Sequence, residues 1–427
     1  MVINMFYDKF REITKLYPDT PAIIWQGEVI SYNELDEYTD DIAQALKMEG
    51  IGPGNVVAIQ KERGMEWLAY SLGILKAGAA YASISPNTPS ERLDYIIREC
   101  KENTAPPEAF CVYYTSGSTG VPKGVVLSHK GVLAMCEMHI ELCGFTHGVK
   151  AAVQADMGFD SFLLSTIPIL YAGGTLYLMD DTERASLVGV HRFLMKNKID
   201  TTFLTTQFAV EYMRSFNNKY LKTLLTGGEA IRSFTPRSYT AYNLYGPAEC
   251  TVYVTAHKLQ ADDEGDIPIG KPVGRNNVTL INGEICVSGP QVALGYLGHS
   301  PFGEIYHTGD RAEWSDKGEL LYRGRLDDMV KINGYRIEPG EIEIVLAQHP
   351  DIVAACVIVK DETLLAFCVP ANKNAPPDTL KSYLAERLPF YMIPRTFTML
   401  DSLPIDKRTG KVDKAELSAL AGEQLPS

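Results

Sequence analysis

Residues 113–124 read YYTSGSTGVPKG. Four hydroxyl side chains (Thr115, Ser116, Ser118, Thr119), three glycines and Lys123 follow FCVYY, an apolar run with the form of a strand. Glycines let backbone approach an anion, exposed N–H groups and hydroxyls donate to oxygen, and a lysine adds positive charge. The loop therefore has the physics of a phosphate cradle. It is not the G-x-x-x-x-G-K-[ST] loop: Pro122 precedes the lysine, and Gly124 stands where that motif places a magnesium-binding hydroxyl. A flexible polar loop would use the same residue types, so the rest of the chain has to decide.

The chain on either side has an α/β rhythm. FYDKFREITKLYP has helical spacing and AIIW reads as a strand. SYNELDEYTDDIAQALKMEG reads as a helix with Ser31 at its N-cap and Gly50 at its stop. NVVAIQ, AAYASISP, GTLYLMD, TTFLT, KTLLTGG and TAYNLY follow as strands, with MEWLAYSLGILKAG and KGVLAMCEMHIELCG as helices between them. This alternation predicts a largely parallel sheet, in which ligands collect where strands end. After about residue 260 short β-like runs (VTLI, EICVSG, ELLYRG) are separated by glycine turns. From 327 a smaller α+β unit follows, so the expected division is 1–326 and 327–427.

Composition limits the partners. The 427 residues carry a net charge of -13, which argues against nucleic acid as the main partner. No run is long enough to span a bilayer, and the N-terminus lacks an apolar signal-peptide core, so a cytoplasmic protein is expected. The eight cysteines form no C-x-x-C pair and read as reduced thiols. The eight histidines show no metal-ligand spacing, so no zinc site is expected.

The loop is the first of an ordered series: LTGGEA (225–230), NLYGPAE (243–249), YHTGD (306–310), GRLDDMVKINGYRIEPGEIE (324–343), LPFYMIP and DKRTGKVDK, with ISYNEL and LKAGAAYASISP ahead of them. In this order they resemble the adenylate-forming enzymes, most closely the amino-acid adenylation domains of nonribosomal peptide synthetases, over residues 5–415. The resemblance implies two half-reactions. A carboxylic acid attacks the α-phosphate of ATP and releases pyrophosphate, and the acyl group then passes to the phosphopantetheine thiol of a peptidyl carrier protein.

It also implies roles for named residues. Thr115, Ser116, Gly117, Ser118, Thr119 and Lys123 would hold the departing phosphates, and Glu249 would bind Mg2+. Asn243, Tyr245 and Gly246 would frame the adenine, with Gly228 allowing a close backbone approach. Asp310 and Arg325 would take the ribose. Lys411, in TGKVDK, would be the catalytic cation that meets both the substrate carboxylate and the phosphate. Asp327 matches the hinge before the small domain, whose rotation would bring Lys411 in and out.

Matching FDSFLLSTIPIL, TTFLTT, LLTGG and NLYGPAECTVY to the family gives the acid pocket: Asp160, Ser161, Leu164, Phe203, Leu225, Gly227, Leu244, Val252 and Tyr253, closed by Lys411. Asp160 would pair with an α-ammonium, and the remaining apolar lining looks most like a pocket for a branched aliphatic amino acid (isoleucine, leucine or valine), with Gly227 leaving depth and methionine, phenylalanine and alanine as other candidates. An acyl- or aryl-CoA synthetase, or a non-catalytic nucleotide-binding relative, remain as other readings. The chain is shorter than the family pattern: only KENTAPPEA links YIIREC to FCVYY, which predicts an exposed apolar sheet edge. Ala248 also stands where a threonine is usual before the acid.

Overall fold

The computed structural model describes residues 5–117, 121–263, 265–371, 377–405 and 412–424. The chain divides into two compact units, one of Met1–Pro86, Ile97–Tyr114 and Gly124–Leu326, the other of Asn87–Ile96, Thr115–Lys123 and Asp327–Ser427.

In the first unit the largest sheet has nine strands. Their order is Lys271–Pro272, Thr255–Lys258, Thr240–Tyr245, Thr223–Gly227, Thr201–Thr205, Lys150–Val153, Thr175–Leu178, Pro21–Trp25 and Glu28–Ser31. From Thr240–Tyr245 to Pro21–Trp25 the pairs are parallel, and the flanking pairs are antiparallel. Parallel strands covered on both faces are apolar throughout, which is why TLLTG is buried at every position. The half-buried Arg63 guanidinium donates to the carbonyls of Val153, Ala155 and Met179, where two of these strands end.

A second sheet runs Gly295–Tyr296, Lys123–Ser128, Ala109–Thr115, Ala80–Ser83, Val56–Ile59. Strand Ala109–Thr115 lies inside it, so the short KENTAPPEA link does not leave an apolar edge at this strand. A four-stranded antiparallel sheet joins Asn277–Ile281, Glu284–Ser288, Ile305–Trp314 and Leu320–Arg325.

The helices start and stop where the residue chemistry directs. Ser31 and Glu34 form a reciprocal capping box on helix Tyr32–Met48. Ser128 caps helix His129–Cys143, which ends at Gly144 with φ +65°. The sequence reading assigned no element to FDSFLLSTIPIL, yet it forms helix Asp160–Tyr171, buried on every side beyond its first residues. An all-round apolar helix interrupted by Pro168 has no 3.6-residue alternation to detect.

The second unit is α+β as expected. Asn333 and Gly334, both at positive φ, turn the hairpin of Val330–Ile332 and Tyr335–Ile337. Strands Ile352–Lys360, Thr363–Pro370 and Thr396–Met399 form its sheet, with helices Pro339–Ala347, Pro377–Ala385 and Lys414–Gln424. Among the described residues no helix is long and apolar enough to cross a membrane.

Candidate active site

In strand Thr240–Tyr245 side chains alternate, so Asn243 and Tyr245 share one face and Leu244 takes the other. The Tyr245 hydroxyl donates to Asp310 Oδ2 at 2.6 Å. Arg325 Nη1 donates to Asp310 Oδ1 at 2.7 Å, and the Tyr322 hydroxyl to the same oxygen at 3.4 Å. Asp310 and Arg325 are cross-strand partners, and Asp310 is 1% exposed. Burial, and then the Asp310 charge, push the Tyr245 phenol well above its ordinary range. Tyr245 is therefore a buried donor to Asp310, and each Asp310 oxygen accepts from protein while keeping acceptor capacity for a further donor. Asn243 is likewise buried, its amide donating to Pro268 O at 2.9 Å.

The next segment delivers Glu249, Val252 and Tyr253. Glu249 is fully buried and accepts from the Tyr296 hydroxyl at 2.9 Å. A buried carboxylate oxygen set of this kind suits a hard cation such as Mg2+, which usually keeps one or two protein carboxylates and takes its other ligands from water and phosphate. Thr251 and Val252 have φ of +50° and +74°, conformations that β-branched residues seldom adopt. Gln291, fully buried, fastens this turn: its amide donates to the carbonyls of Tyr253 at 2.9 Å and Thr251 at 3.2 Å, and Thr251 Oγ1 donates back to Gln291 O at 2.7 Å. Sequence reasoning missed Gln291, because a glutamine in GPQVA carries no local signal of its partner forty residues away.

The phosphate loop is described only in part: Ser118 and Thr119 lie outside the described residues, as does Lys411. Within the second unit, Ser116 Oγ donates to Arg336 O at 2.9 Å and the Gly117 N–H donates to the Glu341 carboxylate at 3.2 Å. Glu341 is fully buried and also holds Arg92 at 2.7 Å. The backbone donor expected to face phosphate thus meets a carboxylate here. A Cβ on Gly117 would lie 2.1 Å from Val121 O, so this glycine is required by close backbone approach. Thr115 ends strand Ala109–Thr115 and Lys123 opens strand Lys123–Ser128.

For the acid pocket, the structure brings Leu164, Phe203 and Leu225 together around a cavity of about 10 Å³. That is room for roughly one water. His139, Ser165, Thr201 and Thr202 share its wall, so it is less apolar than the sequence reading implies. His139 Nδ1 and the Tyr253 hydroxyl share a hydrogen bond of 2.8 Å, and burial lowers the imidazole pKa to about 3. Asp160 and Ser161 open helix Asp160–Tyr171, where the helix terminus favours a carboxylate. Burial above all raises the Cys111 thiol and the Tyr113 phenol, and the Asp160 charge adds to both.

Gly227 departs from its expected part. A Cβ there would lie 2.4 Å from Leu244 O, its partner on the neighbouring strand, so the missing side chain serves strand approach and not pocket depth. Gly246 is similar, with its Cβ position 2.5 Å from Tyr253 Cα, and Gly228 follows at φ +110°.

Comparison with known proteins agrees with this architecture. The sequence model of the AMP-binding enzyme family matches residues 10–105 and 100–297, and that of the AMP-binding enzyme C-terminal domain matches 341–411. The chain therefore belongs to the AMP-binding enzyme family. Bacitracin synthase 1 of Bacillus licheniformis is 32% identical over 96% of this chain, and surfactin synthase subunit 2 of Bacillus subtilis (strain 168) is 32% identical over 96%. The chain spans only 9% and 13% of those relatives. Among solved structures, PA1221, a nonribosomal peptide synthetase protein containing adenylation and PCP domains, superposes with a TM-score of 0.83 at 23% identity, covering 97% of this chain and 84% of that one. The Vibrio cholerae adenylation domain AlmE, in complex with glycyl-adenosine-5'-phosphate, gives 0.82 at 18%, covering 98% of each.

Proposed function

We propose that this chain activates an apolar, branched aliphatic α-amino acid in the cytoplasm for nonribosomal peptide synthesis. An oxygen of the amino-acid carboxylate bonds to the α-phosphorus of ATP as the bond to pyrophosphate breaks, giving the aminoacyl-adenylate. The phosphopantetheine thiol of a peptidyl carrier protein then attacks the carbonyl carbon, loses its proton to solvent and releases AMP. Residues 1–326 act as the adenylation core, and 327–427 as the mobile domain that carries Lys411, with Asp327 at the hinge.

The similarity to bacitracin and surfactin synthases over nearly the whole chain supports the amino-acid reading. What supports the substrate class is the apolar character of Leu164, Phe203 and Leu225, which the fold brings to one wall; the cavity they line at present admits a water and not a side chain, so it must widen to take the acid. Asp160, at the N-terminus of helix Asp160–Tyr171, takes the α-ammonium. Asp310 takes the ribose, with Tyr245 and Arg325 fixing its orientation. Glu249 is the residue that would hold Mg2+, which when bound neutralises charge on the phosphates.

Exchange of labelled pyrophosphate into ATP, run over the common amino acids, tests this. Leucine, isoleucine or valine should support it best. Asp160→Ala should depress exchange with the amino acid strongly while sparing the des-amino acid, because an unpaired ammonium in an apolar site is costly. Exchange driven equally by aryl or fatty acids would overturn the amino-acid reading.

A further inference from the structure

Strands Glu284–Ser288 and Ile305–Trp314 are antiparallel neighbours, and Cys286 stands directly opposite His307. Glu284 precedes Cys286 by two residues, so the pleat puts both on one face of the sheet. Cys286 Sγ lies 3.4 Å from His307 Nδ1, and Glu284 Oε2 lies 2.9 Å from the same nitrogen. One ligand atom from each of the three falls within 4.8 Å of the other two. The second Glu284 oxygen accepts the Gly309 N–H at 2.9 Å, which fixes the carboxylate from behind. Cys286 is buried, whereas the His307 side chain is 56% exposed and forms the outer wall.

An imidazole–carboxylate ion pair, with the thiol also donating to Glu284 O at 3.6 Å, would satisfy all three groups without a metal. What points further is that their ligand atoms converge at metal-ligand spacing. A tetrahedral ion with bonds of about 2.3 Å to sulfur and about 2.0–2.1 Å to nitrogen would hold those two atoms about 3.5 Å apart, close to the separation found, while the 2.9 Å between Glu284 Oε2 and His307 Nδ1 would have to open to about 3.4 Å on binding. Thiolate, imidazole and carboxylate together suit a borderline transition-metal dication. Mg2+ and Ca2+ require oxygen ligands and are excluded by the sulfur. The sequence showed no such site because its ligands come from facing strands, with His307 twenty-one residues from Cys286.

We propose that Glu284, Cys286 and His307 form a site for a borderline transition-metal dication of the Zn2+ and Co2+ class, with three protein ligands and a fourth position left for water. Binding forms a metal–sulfur bond and releases the thiol proton to solvent. The site is separate from Glu249, whose all-oxygen chemistry suits Mg2+. It is coupled to Asp310 through Gly309, which the same carboxylate holds.

The test uses tag-free protein titrated with Co2+, read by the near-ultraviolet thiolate-to-cobalt charge-transfer band and by proton release. One equivalent should saturate the band, Zn2+ should displace it, and excess Mg2+ should not. Cys286→Ser should abolish the band, and Cys143→Ser, at a half-buried thiol elsewhere, should leave it intact. His307→Ala, at an exposed position that leaves folding undisturbed, should weaken Co2+ binding by more than the roughly 10–100-fold typical of losing an outer-shell partner. No band in the unmodified protein, a band that survives Cys286→Ser, or unchanged affinity in His307→Ala would each overturn the site. Neither ATP nor amino acid enters the assay, so its failure is distinguishable from failure of the adenylation reading.

Discussion

Replacing Gly227 with alanine separates two explanations of the same glycine. If its missing side chain gives the pocket depth, the new methyl group meets substrate. The geometry says that it meets backbone: the Cβ position is 2.4 Å from Leu244 O and 3.3 Å from Leu244 C, where ordinary contact begins at 3.4 Å. Strand Thr240–Tyr245 would have to retreat by about 1 Å, and it is hydrogen-bonded to Thr223–Gly227 along its length. Overpacking of this kind costs about 1–3 kcal/mol. At about 2 °C or less per kcal/mol for a unit of this size, the melting temperature should fall by a few degrees.

The displaced strand also carries Tyr245, which holds Asp310. Gly227→Ala should therefore raise the KM for ATP as well as that for the amino acid, and lower exchange with alanine, valine, leucine and isoleucine alike. Differential scanning fluorimetry and pyrophosphate exchange measure both effects. Gly303→Ala, where a Cβ would meet nothing within 4 Å, is the control and should stay within about 0.5 kcal/mol. An unchanged melting temperature, with activity lost only on the long substrates, would refute the strand argument and restore Gly227 to the pocket.

Other perturbations read other parts of the site. Tyr245→Phe removes a 2.6 Å donor from the buried Asp310 carboxylate, a hydrogen bond to charge worth about 1.5–3 kcal/mol, and should raise the KM for ATP; an unchanged KM would mean that Arg325 and Tyr322 suffice to orient Asp310. Gln291→Leu leaves buried carbonyls in the 251–253 turn without their donor, so the urea midpoint should fall by the equivalent of at least about 2 kcal/mol and exchange should fall with it. Burial lowers the His129 pKa to about 4 and that of His139 to about 3, against about 6.5 in the unfolded chain, which then binds more protons below pH 6.5. Stability should drop as pH falls from there towards 4, by up to about 1.4 kcal/mol per pH unit for each histidine, and His139→Asn should flatten the slope measured by urea unfolding.

Much of the fold was legible because local chemistry and tertiary structure agree. Ser31 with Glu34, Ser128 with Gly131, and the Asn333–Gly334 turn fix their elements from within a few residues. The order of the nine strands was not legible, since Lys150–Val153 pairs with Thr201–Thr205 by crossing over Thr175–Leu178 in the chain. The site divides in the same way. Motif residues stood out as types, but their partners did not: Tyr245 finds Asp310 sixty-five residues away, and His139 finds Tyr253 at a distance of 114. A hydrogen bond between distant residues is decided by sheet register, which no short window contains. Gly227 was misread for the same reason, because the atom that excludes a side chain belongs to another strand.

The segment from Tyr245 to Tyr253 shows why strain gathers where it does. Within nine residues it supplies the donor to Asp310, the carboxylate Glu249, and the phenol that pairs with His139 in the pocket wall. An extended strand of that length would carry its ends about 30 Å apart and could not serve one site. Instead the chain doubles back: the Val254 N–H donates to Tyr245 O at 2.8 Å, and Gly246 lies against the backbone of Val252 and Tyr253, where any Cβ would collide. Reversal over so few residues requires positive φ at Thr251 and Val252, conformations that cost on the order of 1–3 kcal/mol each in residues of this type. The hydrogen bonds from the buried Gln291 offset that cost from outside the segment. The geometry at Glu249 and Tyr253 is thus held by a buried residue that lies outside the segment itself.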